Sequence, residues 1–467
     1  MAFCSSCETQ VPDVPQVLVY AYRQSRVYLD PNGYQGVSIT PGVVQFNDPP
    51  AIQSDMINMI LDSQGRLTFF QEIPKEFEPN PPSEKAVDWK PLVAAAGIEA
   101  AQLQPAPPQW LSLAAFDNRV AWTGTWAGSG RPLRVEAASW HGKPVYFSLM
   151  GPWTRPTRMQ YSSRTASQHA AQILNVVLLV VLLGSGIWIA RRNYKRGSSD
   201  PRGAMQLAGF VFATEIAIWL CRNHFVPTQA TFGLFVLAIS TGLFLSAAMF
   251  TLYLALEPYV RRRWPQAIVS WSRVMTGHLR DPLVGRDTLL GVLLGVIWCL
   301  MIGAGLLFLK RAGDSPDLPS TTLLVGGRQV IGIWLLNVVQ CIVATLEFFF
   351  VLFLLRVVLR NKWLAAAGFI AIWGGMNTLQ NHHPEIMAFV WIGVFGVAAF
   401  AATRFGLITL AVAIFTANIL LGLPYTLDFS VWYADSALFV LLSFVAIAGW
   451  GFYQSLAGQP LWKLDVD

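Results

Sequence analysis

Charge is scarce in this chain. Only 13% of its 467 residues are Asp, Glu, Lys or Arg, against about a quarter in soluble proteins, and that shortage excludes an ordinary water-soluble enzyme. Cysteine is scarce as well. Of five, Cys221, Cys299 and Cys341 stand inside apolar runs, leaving Cys4 and Cys7 at the front, so a disulfide scaffold is excluded. Met1 to Tyr20 lacks a basic stretch followed by an apolar core, and no cleavable export signal is read there. No inverted internal repeat of the transporter kind is visible.

Hydrophobic residues, by contrast, make up 54% of the chain, and their long uncharged runs begin only after residue 170. The first third is rich in Pro, Asp, Glu and Gln. The expected fold is therefore an α+β, β-rich soluble head followed by an all-α polytopic membrane bundle of about nine transmembrane helices. The boundaries read as a tail at 1–15, a head at 16–160, a membrane domain at 170–456 with a basic amphipathic loop at 257–287, and a tail at 457–467. The net charge of +6 does not point to nucleic acid, because the bases crowd between apolar runs, where membrane topology places them. The bilayer is the expected partner, and no cofactor is expected.

In the head, strand-like runs alternate with turn chemistry: Gln16 to Tyr22, a turn at Pro31 to Gly33, Gly42 to Phe46, and a hairpin of Met56 to Leu61 and Arg66 to Ile73. Asp88 and Gly97 bracket a short helix that should pack on the sheet. Further strands are expected at Arg119 to Trp126, Leu133 to Trp140 and Val145 to Met150. Trp122, Trp126, Trp140 and Trp153 are candidate head contacts or core residues.

Candidate spans lie near 171–190, 204–221, 231–256, 288–309, 330–355, 363–380, 385–403, 405–423 and 432–453. Arg191, Arg192, Lys195, Arg196 and Arg202 follow the first, Arg261, Arg262, Arg263, Arg273, Arg280 and Arg286 the third, and Arg360 and Lys362 the fifth. This bias predicts an inner-membrane protein whose basic loops and C-terminus are cytoplasmic and whose head is extracytoplasmic. Export of such a head without a signal is a conflict, which either a longer parent chain with an upstream span or an eight-span count would remove.

Trp264, Ile268, Trp271, Met275 and Leu279 recur at helical spacing opposite Ser270, Arg273 and Arg280, predicting an amphipathic helix in the cytoplasmic headgroup layer. With Glu257, Arg261, Arg262, Arg263, Arg280, Asp281, Arg286 and Asp287 it forms a candidate regulatory loop. Glu215, Glu347 and Arg404 fall in apolar runs, where charge is costly and faces a bundle interior. Asn337, Gln340, Asn377 and Asn418 are candidates to join them in a polar seam. Cys4 and Cys7 have the spacing of half a zinc ribbon but lack a second pair. His382 and His383 beside Glu385 are weak metal candidates.

Two resemblances follow. Leu346-Glu347-Phe348-Phe349-Phe350, Arg356 and Phe415-Thr416-Ala417-Asn418 faintly resemble the intramembrane CAAX-protease family, which pairs two glutamates and uses later histidines. Here Leu346 stands beside Glu347 and Ile414 occupies a histidine position, so at most an inactive relative is implied. A stronger resemblance rests on Ala121-Trp122-Thr123-Gly124-Thr125-Trp126, Arg134-Val135-Glu136-Ala137-Ala138, Gly151-Pro152-Trp153-Thr154-Arg155-Pro156, Leu256-Glu257-Pro258-Tyr259-Val260-Arg261-Arg262 and Arg280-Asp281-Pro282-Leu283-Val284-Gly285-Arg286-Asp287. These look like the region after the catalytic domain in some bacterial transmembrane serine/threonine protein kinases. The kinase motifs themselves are missing from the chain. The resemblance implies a non-catalytic sensor or regulatory module, with a kinase domain or other signalling protein as partner; the rival expectation is a small-solute or ion transporter using Glu215, Glu347 and Arg404.

Overall fold

The computed structural model describes residues 19–31, 40–79, 87–126, 129–156, 158–159, 166–313, 324, 326–381, 383–422, 426 and 428–458. Cys4, Cys7, the first three residues of the run from Gln16 to Tyr22, most of the turn at 31–33, His382 and the C-terminal tail from 459 fall outside them. The chain forms two compact units. One holds Met1–Tyr161 with Arg222–Phe235 and Leu427–Ala434; the other holds Ser162–Cys221, Val236–Thr426 and Asp435–Asp467.

The first unit is built on β1 (Val19–Gln24), β2 (Ile57–Asp62), β3 (Leu67–Glu72), β4 (Gln104–Ala106), β5 (Asn118–Thr125), β6 (Pro132–Trp140) and β7 (Lys143–Met150). They make one seven-stranded sheet in the order β1-β2-β3-β7-β6-β5-β4, antiparallel throughout. The β2–β3 hairpin forms because Asp62 Oδ1 accepts from the amides of Gln64 at 2.9 Å and Arg66 at 2.8 Å, an Asx-type turn. Helix α1 (Lys90–Ala95) sets Val93 and Ala96 on Leu67, Leu133, Val135, Ala137 and Phe147. Alternation along β6 sends Ala138 to the other face, against Ala114 and Val145, so the central strands are covered on both sides. Glu136, buried on that strand, pairs with Arg134 at 2.6 Å.

The run Gly42 to Phe46 is not a strand. It is a turn closed by a single bridge between Gln45 and Asp48, pinned by Arg23, whose guanidinium donates to Gln45 O at 2.7 Å and to Asn58 Oδ1 at 3.1 Å. Gly42 has φ +88°, and a side chain there would collide with Asn223. The segment after Arg222 thus belongs to the head unit: Arg222 Nη1 donates to Thr40 Oγ1 at 2.6 Å, His224 N to Gly42 O at 2.9 Å, and Thr228 Oγ1 to Asp30 Oδ1 at 3.0 Å. Trp122, Trp126 and Trp140 pack into the head core, whereas Trp153 is exposed.

Helices α2 (Ala166–Lys195), α3 (Pro201–Arg222), α4 (Gln229–Arg263), α5 (Pro265–Met275), α6 (Pro282–Arg311), α7 (Gly327–Leu359), α8 (Lys362–Leu379), α9 (Pro384–Arg404), α10 (Leu407–Leu421) and α11 (Ala434–Ser455) follow. Each of the expected spans folds as one helix. Among the described residues seven are long and apolar enough to cross a membrane: α2, α3, α4, α6, α7, α9 and α11. The chain is accordingly a multi-pass membrane protein. Helix α8 is diluted by Lys362 and Asn377, and α10 has only 15 residues, about 22 Å against a hydrocarbon core of about 30 Å.

Close approach organises the bundle. A side chain at Gly291 or Gly295 of α6 would meet Thr409 O at 2.8 Å or Ala413 O at 2.7 Å on α10, the small-residue packing that membrane helices use in place of a hydrophobic drive. Helix α5 departs from expectation. Ala267, Ile268, Ser270 and Trp271 are all buried, and a Cβ on Gly406 would run into the Ala267 carbonyl. Its apolar face is covered by protein. Ser270, placed on the polar face by its spacing, is fully buried.

Candidate functional site

The connection from α4 to α6 gathers ion pairs with one recurring form, a shielded carboxylate and a more exposed arginine. Glu257, 1% exposed, sits one turn before Arg261 and pairs with it at 2.6 Å. Asp287, also 1% exposed, pairs with Arg286 at 2.9 Å. Asp281 caps α6 by accepting from Leu283 N at 2.8 Å and pairs with Arg273, so one carboxylate fixes both the start of α6 and the end of α5. Arg262, Arg263 and Arg280 are exposed. Arg356 of α7 stacks over Trp264 at 4.7 Å, tying the loop to a third helix.

This end of the bundle is held by residues that the charge pattern alone did not single out. Pro258 lies inside α4 and has no N–H for Leu254 O. Asn193 of α2 supplies the missing donor: its Nδ2 lies 3.0 Å from Leu254 O and 3.1 Å from Ala255 O. Asp200 caps α3 through Gly203 N at 3.1 Å, and the Tyr253 hydroxyl reaches the same glycine. A proline within an apolar run was the available signal for Asn193, and Asp before Pro the signal for the cap.

The other candidates separate. Arg404 lies in the last turn of α9 and is exposed; it is a charge at a helix end. Glu215 of α3 faces Gly242 of α4. Glu347 is half-buried in α7, and it shares neither hydrogen bond nor ion pair with Arg404 among the described residues. Three of the four amides expected in a polar seam do converge: Asn337, Gln340 and Asn418 line one groove of about 490 Å³ between α7, α10 and α11. Asn377 instead donates to Trp373 O in its own helix at 2.8 Å. His383 Nδ1 lies 3.1 Å from Glu385 Oε1, and among the described residues no three His, Cys, Asp or Glu side chains cluster as a metal site.

In the head, Asp55, Glu72, His141 and Lys143 surround a notch of only about 30 Å³. Burial, reinforced by Asp55 and opposed by Lys143, pushes the Glu72 carboxyl above its usual range. Compared with family models, with curated proteins and with solved structures, the chain matches none.

Proposed function

We propose that this chain is a non-catalytic membrane sensor or regulatory module in which α4 carries a change in the head to the basic loop. One observation carries the reading. Helix α4 is a continuous run, Gln229–Arg263, whose first residues belong to the head unit and whose last turns hold the Glu257–Arg261 pair. A helix moves as a rod, so displacement of the Arg222–Phe235 segment is transmitted along it. The kinase resemblance adds a partner for the basic loop, a kinase domain or another signalling protein.

The same proposal includes a nine-span path with the head outside and the basic loops inside. Gly406 packs on Ala267, so the α9–α10 turn shares the side of α5; α7 ends on that side too, and α8 must then cross for α9 to return. Residues 427–434 belong to the head unit, which supports a crossing by α10 as well. Eleven of its residues are buried, and a helix wrapped in protein needs less apolar length than one in lipid.

The test is a reporter cysteine replacing exposed Leu279 in an otherwise cysteine-free chain. Thr40→Val or Arg222→Leu, which remove the Arg222–Thr40 bond at the start of the segment leading into α4, should change its labelling rate by about threefold or more. An unchanged rate, with amide exchange at 222–228 shown to be faster, would reject the relay.

A further inference from the structure

The groove between α7, α10 and α11 has a composition that selects a ligand. No lining residue carries a formal charge. Trp334 forms one wall, its ring edge-on to Phe415 at 5.4 Å and its Nε1 committed to Ser443 Oγ at 3.2 Å. Asn337 and Gln340 stand one turn apart on α7, about 4.5 Å along its axis. Asn337 Nδ2 donates to Ile333 O at 3.0 Å, which fixes the amide orientation and leaves Oδ1 without a donor among the described residues. The side-chain amides of Gln340 and Asn418, both exposed, make no hydrogen bond among the described residues. In an apolar surrounding an amide without a partner is costly, so Asn337 Oδ1 and the two exposed amides beside it favour a ligand that can satisfy them.

We infer that this groove binds an uncharged lipid whose head carries a hydroxyl group. The inference stands independently of the sensor reading. An anionic head would enter without a cation, which a low-dielectric site penalises. A head bearing only carbonyl acceptors leaves Asn337 Oδ1 unmet. A hydroxyl meets both demands, donating to Asn337 Oδ1 and accepting from the amide of Gln340 or Asn418. The volume of about 490 Å³ is in the usual range for small-molecule sites; the tails lie along the apolar walls, such as Ile419 and Val440.

The probe is a photoreactive diacylglycerol added to the purified full chain in detergent. Cross-links should map to α7, α10 and α11, and unlabelled diacylglycerol should compete at least about tenfold better than phosphatidylglycerol or a quinone. Asn337→Leu and Gln340→Leu should each lower labelling about tenfold, the worth of one or two hydrogen bonds, with the elution profile and unfolding midpoint retained. Should either variant fold poorly, Asn418→Leu, at an exposed position, supplies the comparison. Equal labelling of variants and wild type, equal competition by phosphatidylglycerol, or cross-links scattered over all the apolar helices would overturn the proposal. So would a wild-type dimer that Gln340→Leu dissolves, which would assign the groove to a second copy.

Discussion

Asn193 shows how one polar side chain is made necessary by another residue's defect. Pro258 removes a donor from α4, and Asn193 restores it from α2 while also reaching Ala255 O. Asn193→Leu should lower stability by about 1–2 kcal/mol, because the buried Leu254 carbonyl loses the donor that Pro258 cannot supply. In a Pro258→Ala background the cost should fall to about half, since the new N–H satisfies Leu254 O from within the helix. Midpoints of SDS-induced unfolding for the four chains give the coupling; equal costs in both backgrounds would refute the pairing. The proline was plain in the sequence, but its partner was not, since nothing along the chain says which neighbouring helix supplies a side chain. The same holds for Arg222 and Thr40, which meet only because the chain returns to the head after two helices. Arg404 stands in an apolar run that gives no sign of where a helix stops, and only the break at Gly406 makes it the end of α9.

At the scale of elements, regular periodicity was readable and its neighbour was not. The β2–β3 hairpin and the strands β5, β6 and β7 follow alternation and turn residues closely, and every long apolar run became a helix. The apolar stripe of α5 was also real, yet a stripe of Ile268 and Trp271 is equally content against lipid or against another helix. What settles it is Gly406, with φ +114° and Ala267 backbone atoms within 3 Å of its missing Cβ. Gly406→Ala is therefore expected to be damaging twice over, by backbone strain and by pushing α5 off the α9–α10 turn, at about 2–4 kcal/mol in total. Gly449→Ala, in α11 with open space around it, is the matched control and should be neutral or stabilising by up to about 1 kcal/mol. Proteolysis at 276–280 should accelerate in the first variant and stay at the wild-type rate in the second. Similar behaviour of the two would mean that α5 is held by its own sequence rather than by this contact.

Across the whole molecule, aromatic and basic side chains collect at the same helix ends. Arg192 stacks on Trp188, Arg356 on Trp264 and Lys362 on Trp363, pairings suited to a headgroup boundary on the base-rich side. The proposed nine-span path then fixes the side of every connection, and one position separates it from a path with only the seven long helices. If α8 and α10 both cross, the end of α8 at Gln380 lies with the head. If neither crosses, α7 leaves Gln380 on the base-rich side, with Leu279. Single cysteines at Gln64, Leu279, Gln380, Thr403 and Phe429, all exposed, can be labelled from one face of sealed vesicles. The expected partition puts Gln64, Gln380 and Phe429 together and Leu279 and Thr403 on the opposite face. Gln380 labelling alongside Leu279 would reduce the path to seven spans. It would also leave the Gly406 contact with Ala267 on the wrong side of the bilayer, so the packing and the topology stand or fall on the same measurement.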